Sequence, residues 1–153
     1  MFRSMFGSSP LPIAIVAAAC TLLPSARTED GDVIAKMTAG KVERIITSFS
    51  DVKNFKERGN NSYIFEVEGL KILLFNHEDS LQLNASFSDK VTMSRINEWN
   101  RTKRYTRAYL DKENDPVLQG DLELTGGVTE KNVKEWLKTY VVCLKAFRKH
   151  LAE

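Results

Sequence analysis

The run from Asn61 to Ser88 constrains the fold most, because it alternates apolar and polar residues through three successive segments. In "NSYIFEVEGLKILLFN" Tyr63, Phe65 and Val67 share one face, Gly69 marks a turn, and Leu70, Ile72 and Leu74 share a face of the next segment. "SLQLNASFS" sets Leu81, Leu83, Ala85 and Phe87 against Gln82, Asn84 and Ser86. Successive side chains of a strand point to opposite sides of the sheet, so such runs bury one face. Loops this short between them predict an antiparallel meander. The second segment departs from the rule: Leu73 and Phe75 are apolar on its other face. That suits a central strand, or one whose outer face meets a partner.

Helical spacing flanks the meander. Val42, Ile45, Ile46 and Phe49 predict a helix over 39–49, and Met93, Ile96, Trp99 and Asn100 predict a second. Between the first helix and the meander, 52–56 carries only a weak strand signal. Strand alternation returns in "YTRAYLDKENDPVLQGDLELTGG", with a turn at Asn114-Asp115-Pro116. There Leu118, Leu122 and Leu124 face inward, and Gly120 between them permits close approach of a helix. Thr129 caps a long closing helix whose apolar positions run from Val133 to Leu151. The predicted order is α-β-β-β-α-β-β-α, an α+β fold with a twisted antiparallel sheet and flanking helices.

The first 26 residues read as a segment outside this fold. Arg3, an apolar run from Leu11 to Leu23, and Pro24-Ser25-Ala26 have the layout of a secretory signal cleaved after Ala26. The run is shorter than the ~20 residues of a spanning helix. Lipidation at Cys20, within Ala17-Ala18-Ala19-Cys20, is an alternative to simple export. Residues 27–37 read as a polar, loose linker, and 38–153 as the folded domain. The expected destination is the periplasm or the medium, with no membrane contact after cleavage. A net charge of +2 argues against a nucleic-acid partner.

Five features taken together resemble one family. They are "INEWN" (Ile96 to Asn100), "RYTRAYLD" (Arg104 to Asp111), "DP", "LQGDLELTGGVT" and the closing helix. Over Thr38 to Leu151 the chain resembles the YbjN domain family of bacterial proteins. The resemblance implies a fold like that of type III secretion chaperones, often dimeric, and a loose role as a sensory-transduction regulator with no defined reaction. Those chaperones work in the cytoplasm, whereas this chain reads as exported.

The chemistry-bearing residues point to binding. His77 and His150 are far apart and lack the spacing of metal ligands, and Gly126-Gly127-Val128-Thr129 lacks the Lys-Ser/Thr of a phosphate loop. Cys143 falls on the apolar stripe of the last helix, where it reads as a small hydrophobe. No nucleophile, base and metal constellation converges, so the expectation is a non-enzymatic module without cofactor or metal. Asn97, Trp99, Asn100 and Tyr105 form the signature cluster. The asparagines there either satisfy strand-edge backbone groups or, in a second reading, line a small-molecule pocket. Tyr140-Val141-Val142-Cys143-Leu144 is apolar around a whole helical turn. With Leu73 and Phe75, the residues Tyr140, Val142 and Cys143 are the expected interface for a protein or peptide partner or a homodimer.

Overall fold

The computed structural model describes residues 32–153. Helix α1 (Ala39–Thr47) precedes four strands, β1 (Val52–Gly59), β2 (Ser62–Val67), β3 (Leu70–Asn76) and β4 (Ser80–Ser86). Helix α2 (Met93–Thr102), strands β5 (Arg107–Leu110) and β6 (Pro116–Glu123), and helix α3 (Glu130–Ala152) complete the order. The strands form one antiparallel sheet ordered β1-β2-β3-β4-β6-β5, an α+β fold as expected. The signal segment and Cys20 lie outside the described residues. Among the described residues no helix is long and apolar enough to cross a membrane.

Tight turns fix the register of the meander. Asn60 and Asn61 both hold positive φ (51° and 52°) between β1 and β2, and Glu68 and Gly69 do so (51° and 78°) between β2 and β3. Two central residues in that region give the turn whose twist matches a hairpin. Tyr63 therefore sits opposite Leu74, and Phe65 opposite Ile72, all on the face toward the helices.

One strand exceeds the sequence expectation. β1 is eight residues long, where the sequence carried a weak signal over 52–56 and the predicted order gave it no place. Its ladder with β2 slips between Lys53 and Lys56, at Asn54, whose φ is +55°. A bulge inserts an extra residue and breaks the period-two pattern by which strands are read. Asn54 Nδ2 donates to Glu66 Oε2 across the bulge at 2.8 Å.

The expected loose linker over 27–37 is corrected where it is described. Ile34 and Val128 exchange main-chain hydrogen bonds of 2.6 and 3.0 Å, and both Ile34 and Met37 are buried. Met37 N–H donates to Glu78 O, and Asn76 Nδ2 donates to Met37 O at 2.8 Å. Asn76 is itself buried, and its Oδ1 accepts from Glu78 N–H. A buried amide with donor and acceptor both used is a fastener, here tying the lead-in of α1 to the β3–β4 turn.

The helices lie on one face of the sheet. Helix α3 has 23 residues, about 34 Å of helix, enough to cross the sheet. It starts in a capping box, with Thr129 Oγ1 accepting from Asn132 N–H and Asn132 Oδ1 accepting from Thr129 N–H. It touches down on β6 at Tyr140, whose ring covers Gly120 and whose hydroxyl donates to Leu118 O at 2.9 Å. A Cβ at position 120 would stand 2.7 Å from Tyr140 Cδ2, so the glycine sets the distance between helix and strand. Gly120→Ala should destabilise the protein by about 1–3 kcal/mol through this overpacking. Urea denaturation measures it, and unchanged stability would show that the helix is not seated there.

Candidate functional site

Four signature residues were expected to stand together, and they separate. Asn100, in the last turn of α2, reaches the outermost strand: its Nδ2 donates to Ala108 O at 2.9 Å, and Ala108 N–H donates to its Oδ1 at 2.8 Å. The amide thus does for one residue of β5 what a neighbouring strand would do. Trp99 is buried at 1% exposure against Phe147, with ring centroids 4.9 Å apart and edge to face. Phe147 meets Phe87 in the same manner at 5.4 Å, and His150 packs against the indole at 5.6 Å. These contacts seat α2 on α3 and the sheet.

Asn97 and Tyr105 do not join them. Asn97 is exposed. Tyr105 is 77% exposed, and its backbone turns away from the ladder at φ +70°. The group divides into a clasp, a core indole and two surface side chains, so the enclosed pocket of the small-molecule reading is not assembled from them. Asn100 joins α2 to β5, and Trp99 joins α2 to α3. Asn100→Ala removes both partners of the Ala108 main chain and should cost about 1–3 kcal/mol. Asn97→Ala should stay within about 0.5 kcal/mol of the parent. Thermal or urea melts of the pair check the contrast.

The expected interface residues fall in three places. Leu73 and Phe75 lie on the sheet face that no helix covers among the described residues, where Leu73 pairs across Ile64 and Asn84, and Phe75 across Ser62 and Gln82. Ile64, Leu73 and Phe75 are half-buried, Val117 is buried, and none of the four belongs to the core packed by the helices. Beside them runs a row of amides. Gln82 Nε2 and Gln119 Nε2 both donate to Asp121 Oδ1 at 2.9 Å, and Asn84 Nδ2 donates to Gln82 Oε1 at 3.3 Å. Gln119 is 4% exposed, held flat by this network. The face is apolar over β2–β3 and carboxamide-rich over β4–β6. Sequence alternation placed Gln82 and Asn84 outward, but the link from β4 to β6 that assembles the row depends on a pairing distant in sequence.

On α3 the apolar turn is shared between inside and outside. Val142 is 66% exposed and borders a groove of about 210 Å³ with Phe49, Val52, Leu137 and Val141. Tyr140 is corrected: at 1% exposure it belongs to the protein's own core, where its hydroxyl is occupied by Leu118. Burial pushes that hydroxyl's pKa far up. Cys143 is half-buried, its Sγ 3.8 Å from Arg104 O, and burial pushes its thiol up as well. A thiol so placed is a weak nucleophile at neutral pH. His150 Nε2 lies 3.0 Å from Arg95 O, a structural contact at the end of α3.

A family model described as "YbjN: Putative bacterial sensory transduction regulator" matches residues 65–153. The chain belongs to the YbjN family. No curated protein matches it. The YbjN match opens inside β2 and takes in β3 to α3, while α1 and β1 lie before it. Strand β1 is nevertheless hydrogen-bonded into the same sheet, so the YbjN portion and the preceding elements share one ladder. The family description makes the YbjN protein a regulatory or binding module.

Proposed function

We propose that this YbjN protein is an exported, non-catalytic regulatory module that binds a protein partner on the uncovered face of its sheet. One observation carries the reading: Ile64, Leu73 and Phe75 form an apolar patch outside the core, beside the row Gln82, Asn84, Gln119 and Asp121. Apolar area bounded by hydrogen-bonding amides is the composition of a protein interface, with a dry centre and a polar rim. The patch is a sheet surface and not a cleft, which fits a macromolecule better than a small ligand. The raised pKa of Cys143 and the structural use of His150 fit a role without chemistry. Export rests on the layout of the first 26 residues alone.

Leu73→Glu with Phe75→Glu puts two carboxylates into the patch and leaves the helix-side core intact. The double variant should keep the melting temperature within a few degrees. It should weaken partner capture from periplasmic extract by about thirtyfold or more, the ~2 kcal/mol of a central interface residue. Identical captured proteins at equal yield from both forms would overturn the sheet-face reading. Light scattering at high micromolar concentration tells whether the partner is a second copy of the chain.

The export half has its own check. Intact-mass measurement of protein from the native host should give a mature chain beginning at Arg27. A full-length chain recovered from the cytoplasm would remove that half and leave the binding face untouched.

A further inference from the structure

Strand β6 is twice as long as the strand beside it. β5 pairs its four residues from Arg107↔Gln119 to Leu110↔Pro116, and β6 continues to Glu123 with no strand on that side among the described residues. The phase of the ladder decides what this stretch offers. Asn100 takes the main-chain N–H and C=O of Ala108, so that residue's groups point away from β6. Arg107 and Tyr109 must then turn theirs toward Gln119 and Val117, because main-chain groups alternate sides along a strand. Phe87 N–H donates to Pro116 O, and Leu124 N–H to Asp79 O, which fixes the even-numbered residues of this stretch toward β4. By the same alternation Asp121 and Glu123 direct their N–H and C=O groups to the side β5 does not reach.

Beneath that open edge lies a cavity of about 320 Å³, walled by Tyr105, Asp121, Glu135, Trp136, Thr139 and Tyr140. It occupies the place where an extension of β5 would bury side chains; the chain leaves that path at Tyr105, φ +70°. The Trp136 side chain, half-buried, forms part of its wall. The walls hold one carboxylate, that of Glu135, because Asp121 turns its own to the opposite face of the sheet, toward Gln82 and Gln119. Glu135 is paired with Lys138 at 2.7 Å, but both side chains are 59% exposed, so the pair holds its charge weakly.

We propose that the open half of β6 accepts an extended peptide as an added strand, antiparallel like β5, with a lysine or arginine side chain in the cavity. This rests on the reading of the protein as a protein-binding module and assigns that module a specific peptide-binding edge. Residues of the peptide opposite Asp121 and Glu123 exchange main-chain hydrogen bonds with them, as in other strand-addition complexes. The residue between, opposite Leu122, faces inward as Leu122 does toward Leu81. Its aliphatic stem lies along Trp136 and Tyr105, and its cation meets Glu135 near the indole face.

The test uses a synthetic peptide of alternating threonine and valine with a central lysine, followed by tryptophan fluorescence or calorimetry on the whole protein. Replacing the lysine by glutamate should weaken binding by about tenfold or more. N-methylation of the two residues flanking the lysine should do the same, because it removes the strand hydrogen bonds and leaves the cation. Glu135→Lys, an exposed change on α3, should reverse the preference toward the glutamate peptide. Equal binding of the lysine and glutamate peptides, indifference to N-methylation, or no binding of any peptide at millimolar concentration would each overturn the proposal. If the peptides fail while Leu73→Glu with Phe75→Glu still abolishes partner capture, the edge site falls and the module reading stands. If the peptides bind as expected while that double variant captures as the parent does, the edge survives and the sheet-face reading falls.

Discussion

The amide of Asn100 on the main chain of Ala108 is the contact on which the far side of this sheet depends. An outermost strand presents a row of unpaired N–H and C=O groups that invites pairing with other chains. One carboxamide, offering a donor and an acceptor in the spacing of a peptide group, closes that row at its centre. The same contact binds α2 to β5 and settles which residues of β5 face β6. That phase agrees with the ladder of β6 on β4, which leaves the odd-numbered main-chain groups of β6 open beyond Gln119. The outward main-chain groups of Ala108 are thereby satisfied, and those at the end of β6 are not.

The helix side of the sheet is held by a different device. Helix α3 crosses the sheet at a strand position without a side chain, and Tyr140 fills the space over Gly120 while donating to the neighbouring carbonyl of Leu118. A buried phenol must give its proton to an acceptor or lose much of what its burial gains. Here it takes an oxygen of the strand it covers, so packing and hydrogen bonding fix the same distance. At the other end of α3 the rings of Phe147, Trp99 and Phe87 meet edge to face, which ties the helix to α2 and to the end of β4. Both attachments use residues within one helix, and the turns between them carry Val142 to the surface.

Much of this was legible in the sequence, and what was not has identifiable causes. Regular alternation located β2, β3 and β4, and the capped apolar pattern after Thr129 located α3. β1 was faint because the bulge at Asn54 breaks its period. Ile34 and Met37 looked like linker because their partners, Val128 and Glu78, are remote in sequence and no local pattern announces them. Asn76 was missed for the same reason: a buried amide and an exposed one have the same letter. Asn97 and Asn100 show the limit most clearly. They are three positions apart on one helix, yet only the second lies where the chain of β5 passes. Alternation gave the orientation of Leu73 and Phe75, away from the helices, whereas an apolar turn of helix did not distinguish Tyr140, turned inward, from Val142, turned outward.

The outer sheet face and the open edge meet at one residue. Asp121 gathers Gln82 and Gln119 on the face with its carboxylate, and its main chain belongs to the edge where β5 has ended. A carboxylate accepting hydrogen bonds from two amides restricts their rotamers, and its position follows the backbone that carries it. A strand added at Asp121 would draw that backbone into a ladder on both sides, where now it is held on one. The amide row would then be anchored to a stiffer strand without any direct contact between the added chain and Gln82. Such an arrangement lets occupancy of the edge alter the rigidity of the face through ordinary hydrogen bonds over a single residue. For a protein of a regulator family, this is a physical route by which the two surfaces proposed above need not act independently.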